Sequence, residues 1–199
     1  MVLLFFLFVF TGCSLFLINP RYSDLPLDYR DQIKPVKFNF SLPEKIPANF
    51  LDSNVVYTIN KDGLIRLSRY FGKKIIVVKT ATFCKPCKEK LPEILEYKKE
   101  IEKKGLVLFV SPENYMERYR LREIFNERGY NGPLFFVDID EYGDIRTNKK
   151  LLNFDKDFFP NFMDEFLLTI GFPSYIVIDP DGEIMQEPNI VWDDLISSM

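Results

Sequence analysis

Two cysteines with two residues between them, in Cys84-Lys85-Pro86-Cys87, are the side chains here whose type and spacing state a chemistry. Thiols at that spacing can close into a disulfide and reopen, moving two electrons per cycle. The same spacing also serves as half of a tetrahedral zinc site, which needs four soft or imidazole ligands. The chain has no histidine and one further cysteine, Cys13, so structural zinc within one chain is close to excluded. The lack of histidine also removes Ser-His and Cys-His catalysis and imidazole general bases. An inert disulfide is the bland alternative, but a two-residue spacer closes too small a loop to contribute much unfolded-state entropy. Redox work is the stronger reading.

The elements that must position these sulfurs can be read around them. Ile75, Ile76, Val77 and Val78 form a β-branched run of the continuous kind expected of a strand buried on both faces. Beyond Cys87 the apolar spacing changes to Leu91, Ile94, Leu95 and Ile101, the stripe of an amphipathic helix. A helix starting near Cys84 turns unpaired N–H groups and the positive end of its dipole toward that sulfur, which favours a thiolate. Cys84 is therefore the expected nucleophile. Cys87, one turn before Leu91, points along the packed stripe and is placed to resolve. Pro86 falls in the first turn, where a missing N–H costs nothing, and Pro92 falls where it kinks the axis.

The run Ala81-Thr82-Phe83-Cys84-Lys85-Pro86-Cys87, with a proline five residues after the second cysteine, resembles the thioredoxin superfamily, above all its membrane-anchored TlpA and ResA type subgroup. The segment Gly171-Phe172-Pro173-Ser174-Tyr175 through Asp181-Gly182-Glu183-Ile184 is similar to that family's second signature, a cis-proline opening a strand and then an Asp-Gly hairpin. The resemblance implies an α/β, thioredoxin-like fold: a central mixed β-sheet flanked by helices, with an N-terminal β-hairpin and a central insertion. It implies a thiol-disulfide oxidoreductase whose cofactor is its own Cys84–Cys87 dithiol, with no metal. Protein disulfides would be the substrates, those of exported proteins first, with apocytochrome c one instance. A membrane thiol electron donor would restore the dithiol. Pro173, if cis, would set the Phe172 backbone against Cys84, where a substrate chain adds as a strand. Phe83 and Phe172 are the expected substrate-binding residues, and Lys85 and Pro86 the expected tuners of the potential.

Several positions depart from the family pattern. Val78 stands where many thioredoxins carry an acid that helps deprotonate the resolving thiol, which leaves Cys87's proton acceptor open among insertion carboxylates and water. Phe83 replaces a tryptophan, and Lys79 replaces an apolar residue, so different surface recognition near the site is expected. Ala81 replaces the threonine of peroxiredoxins, which disfavours peroxidase activity. Copper-delivering relatives have wider cysteine spacing and a distant histidine, both missing here. The competing class is a redox-silent module that keeps the fold for protein interaction alone.

With 199 residues, 47% of them hydrophobic, the chain can bury one good core. A net charge of -3 with interleaved Lys and Glu gives no basic patch, and no nucleic-acid partner is expected. The apolar run Val2–Phe10 is too short to span a bilayer, and with Phe10-Thr11-Gly12-Cys13-Ser14 it resembles a bacterial lipoprotein signal. Residues 1–12 are read as that signal, Cys13 as the lipidated residue anchoring the protein to the cell envelope on the periplasmic or extracellular side, 13–47 as a proline-rich tether, and 48–199 as the domain. An uncleaved anchor or a buried terminus is the alternative.

Along the domain, Val55–Ile59 and Leu64–Leu67 around Asn60-Lys61-Asp62-Gly63 read as a β-hairpin. Ser68–Gly72 is a turn, and the active-site helix ends near Lys104 with Gly105 as its C-cap. A strand over Leu106–Val110, a helix over Glu113–Arg128 closed by Gly129 and a strand over Leu134–Val137 imply a parallel pair. An insertion over about 138–160 borders the site. Its start hints at a calcium loop, but Tyr142 and Lys149 stand where ligands are needed. A helix over Asn161–Ile170, strands over Tyr175–Ile178 and Glu183–Gln186, and a helix over Ile190–Ser198 close the chain.

Overall fold

Five runs of β-branched and aromatic residues make the sheet: Val56–Ile59 (β1), Lys74–Lys79 (β2), Gly105–Ser111 (β3), Leu134–Val137 (β4) and Ser174–Ile178 (β5). Helices Lys61–Phe71 (α1), Lys85–Ile101 (α2), Arg118–Asn126 (α3), Ile139–Tyr142 (α4) and Thr147–Phe158 (α5) lie between them. The computed structural model describes residues 42–114, 117–143, 147–160 and 172–185. The Cys13 anchor, the tether up to residue 41 and the helices expected over 161–170 and 190–198 lie outside the described residues.

The strand order is β1-β4-β3-β2-β5, parallel throughout except for β5, which runs antiparallel to β2. Both faces are covered, which is why the strands read as unbroken apolar runs. Ile75, Val77, Leu108, Phe135 and Ile176 point to one face, under Leu64 and Leu67 of α1 and Phe154 and Phe158 of α5. Ile76, Val78, Phe109, Phe136 and Val177 point to the other, under Leu91 and Ile94 of α2 and Leu121 and Phe125 of α3. Leu42 packs against the first cluster and Ile46 is buried within it.

The expected N-terminal hairpin is not there. Its second arm is α1, and β1 pairs in parallel with β4. Asn60 is a helix N-cap instead of a turn residue: its Oδ1 accepts from the Gly63 N–H at 2.8 Å. Gly63 sits inside the helix without a positive φ, and the positive φ belongs to Gly72, which closes α1. Gly105 likewise does not cap α2; it opens β3, paired with Lys74. The helix expected from Glu113 begins at Arg118. Of the strand expected over Glu183–Gln186, Ile184 makes an isolated bridge with Ile178, and Gln186 lies outside the described residues. The insertion holds α4 and α5, and α5 is part of the core through Phe154. The would-be calcium loop is the start of α4, where Asp138 accepts from the Asp140 N–H and Tyr142 is buried.

Candidate active site

The register of the sheet assembles the site. Lys79, the last residue of β2, pairs with Val110 on one side and Ser174 on the other, so the segments that follow Lys79 and precede Ser174 meet at one edge. The chain leaves β2 with the Thr80 N–H donating to the Val110 carbonyl at 2.9 Å and turns so that the Cys84 N–H donates to the Ala81 carbonyl at 3.1 Å. That turn delivers Cys84 to the N-cap of α2. Its sulfur accepts from the Cys87 N–H at 3.0 Å, the contact by which a helix start stabilises a thiolate.

The two sulfurs are joined in a disulfide. Cys84 and Cys87 are both buried and form a small cluster with Ala81, against which Phe172 packs. The Phe172–Pro173 peptide bond is cis. Phe83 is 58% exposed, its ring edge-on to Phe172 at 6.0 Å between centroids. The sequence-predicted residues Phe83, Cys84, Cys87, Phe172 and Pro173 are therefore brought together. Lys85 and Pro86 lie on the exposed first turn of α2, and the Lys85 ammonium is 3.6 Å from Glu89 one turn on.

Lys79 overturns its expectation. It is no surface recognition residue: it is 1% exposed and its ammonium is 2.5 Å from Asp155 of α5. Burial pulls the Lys79 amine below the ordinary lysine range, and Asp155 pulls it back. A lysine inside a strand covered on both faces must find a carboxylate, a signal present in the sequence at Lys79.

Glu113, which follows β3, has its carboxylate behind the Cys84 loop and not on a solvated helix face. It accepts from the Thr82 N–H and the Thr82 hydroxyl, each at 2.7 Å, and from the Ser111 hydroxyl at 3.1 Å. Burial pushes its carboxyl above the usual range, the bonds from Thr82 and Ser111 oppose this, and Glu117 adds a smaller upward push. Lys150 of α5 donates to the Glu113 backbone carbonyl at 3.1 Å. The insertion thus reaches the site from behind. No local pattern flagged Glu113, because its partner is 31 residues away.

A disulfide between a helix N-cap and the next turn, set where the end of the interior strand β2 meets the proline loop that opens β5, defines a thioredoxin-fold thiol-disulfide oxidoreductase. The chain belongs to the AhpC/TSA family, whose model matches residues 51–187. No curated protein matches it. Among solved structures it is similar to the thioredoxin domain of a thiol-disulfide oxidoreductase from Bacteroides vulgatus, with 20% identity, a TM-score of 0.45, and 67% of this chain and 79% of that one covered. It is also similar to an exposed lipoprotein thioredoxin from Streptococcus pneumoniae, with 17% identity, a TM-score of 0.41, and 71% and 96% covered. A thiol:disulfide interchange protein from Chlorobium tepidum shows 17% identity and a TM-score of 0.44, with 70% and 89% covered.

Proposed function

We propose that this oxidoreductase reduces disulfides in exported proteins, among them apocytochrome c, while tethered to the membrane through a lipid on Cys13. The observation that carries the exchange reading is the Cys87 N–H directed at the Cys84 sulfur from the start of α2, which activates Cys84 as the attacking thiolate. In the reduced state the Cys84 thiolate attacks a substrate disulfide, forming a mixed disulfide and expelling one substrate thiolate. Cys87 loses its proton and attacks the Cys84 sulfur, which releases the second substrate thiolate and closes the Cys84–Cys87 disulfide. A membrane dithiol donor then supplies two electrons. The exposed Phe83 and the Phe172-Pro173 loop form the apolar docking face.

The direction of flow follows from the residues between the sulfurs. The Lys85 side chain is 82% exposed and its ammonium faces Glu89, so its pull on the thiolate is screened and biases the couple only modestly toward the dithiol. A potential nearer thioredoxin's than a strong oxidant's is expected, measured by equilibration with glutathione; a value near about -120 mV would reverse the direction. The deciding experiment is trapping: Cys87→Ser accumulates mixed disulfides with clients, Cys84→Ser does not, and the unaltered chain reduces insulin. Equal trapping by both variants, or no reduction of insulin, sinks the reading, the latter in favour of a redox-silent module. Loss of lipid labelling in Cys13→Ser tests the anchor.

A further inference from the structure

The cycle just described makes no use of Glu113, although this side chain is 3% exposed and bonds Thr82, two positions before the nucleophile. Both of its oxygens are engaged: Oε2 by the Thr82 N–H and the Ser111 hydroxyl, Oε1 by the Thr82 hydroxyl. Ser111 is itself oriented by accepting from the Glu113 N–H at 3.2 Å. Among the described residues no cation pairs with the carboxylate: Lys150 reaches its backbone carbonyl, and Lys79 faces Asp155. A second carboxylate shares that contact, since Glu117 Oε2 is 3.4 Å from the Thr82 hydroxyl that Glu113 approaches at 2.7 Å. That hydroxyl has one proton, and the shorter bond directs it to Glu113.

A neutral amide or carbonyl would satisfy Thr82 at a smaller desolvation cost than a carboxylate. An ionisable group here is therefore costly for anchoring alone. We propose that Glu113 is a positioning residue for the dithiol: its buried carboxylate, fastened to Thr82, fixes the loop that presents Cys84 and opposes negative charge on that sulfur. The inference rests on the reductase reading above.

Two opposing fields then meet at Cys84. The start of α2 favours the thiolate, and Glu113 disfavours it when ionised. Groups so coupled titrate as a pair, each losing its proton more readily while the other keeps its own. The upward push of burial on the Glu113 carboxyl brings its ionisation closer to that of a thiol. The groups facing it are Glu117 at the start of α3, Lys150 of α5 and the hydroxyls of Thr82 and Ser111; the Lys79–Asp155 pair spans β2 and α5.

The test is the ultraviolet thiolate absorbance of the reduced full chain against pH. Glu113→Gln keeps an acceptor for the Thr82 N–H and removes the charge. It is expected to raise the thiolate fraction at a fixed pH below the midpoint about three- to tenfold and to turn a two-step titration into one. Glu113→Asp, which keeps the charge, is expected to retain the two-step curve. Thr82→Val removes one bond that stabilises the anion and should shift the curve in the same direction as Gln by a smaller factor, a second readout should the Gln variant fold poorly. An unchanged curve in Glu113→Gln or in Thr82→Val, or equal shifts in Gln and Asp, overturns the proposal. Insulin reduction by the unaltered chain with an unchanged Gln titration refutes this role and leaves the reductase standing; absence of insulin reduction refutes the reductase, while the titration still decides Glu113.

Discussion

Replacing Asp155 with alanine strips the partner from an ammonium that has nowhere to go. Lys79 and Asp155 are 1% and 0% exposed, and their atoms are 2.5 Å apart. Removing one member of a buried pair costs about 3–5 kcal/mol, because the other charge stays desolvated and unpaired. Against a total stability of about 5–15 kcal/mol, that is a large share, and it corresponds to a fall in Tm of about 6–20 °C for a domain of this size. The sign of the pH dependence is fixed as well. Folded Lys79 releases its proton below the ordinary value of 10.5, so the unfolded chain binds more protons there and stability rises with pH toward that value. Asp155 is the group pulling the amine back up, so in Asp155→Ala this window opens at lower pH. Urea unfolding followed by circular dichroism should therefore show a loss that is largest near neutrality and shrinks as the pH approaches 10.5. The double substitution Lys79→Met, Asp155→Leu should recover most of it. A loss below about 1 kcal/mol at neutrality, or one that does not shrink with pH, refutes the reasoning.

Two further outcomes are expected. Gly182→Ala forces a side chain onto a residue with φ of +91° and places its Cβ 2.6 Å from Ile65 Cγ2, so a loss of about 1–3 kcal/mol is expected in the same unfolding assay. Phe83→Ala should leave stability within about 0.5 kcal/mol, since the ring is mostly exposed, yet lower kcat/KM for a protein disulfide while sparing a small-molecule disulfide; equal losses on both would remove Phe83 from the docking face.

What could be read from the residues alone was what local pattern determines. Ile75–Val78 and Leu134–Val137 are unbroken apolar runs because helices cover both sheet faces, and the structure makes strands of both. The change of period after Cys87 placed the helix start at the sulfurs. Asn60-Lys61-Asp62-Gly63 failed because the same residues write a tight turn and a helix cap. Leu64, Leu67 and Ser68, all buried, carry the helical period that decides between them. The α5 helix was hidden because its buried face mixes Leu151 and Phe154 with the charged Lys150 and Asp155, and the partners that make those charges tolerable lie far away in sequence.

Those two charged residues give α5 a role that its place as an insertion conceals. Asp155 pairs with the residue that ends β2, and Lys150 bonds the backbone of Glu113 just after β3. These two strands flank the exit from which the Ala81–Cys84 turn departs, and the Glu113 carboxylate closes the arrangement by fastening Thr82. One helix thus braces both supports of the nucleophile's loop. A minimal thioredoxin unit obtained by excising the insertion would leave Lys79 charged inside the core and Glu113 without its backbone anchor. The carboxylate that fastens Thr82, supplied in this chain from the loop after β3 while Val78 stays apolar in β2, is coupled through its backbone carbonyl to Lys150 of that helix.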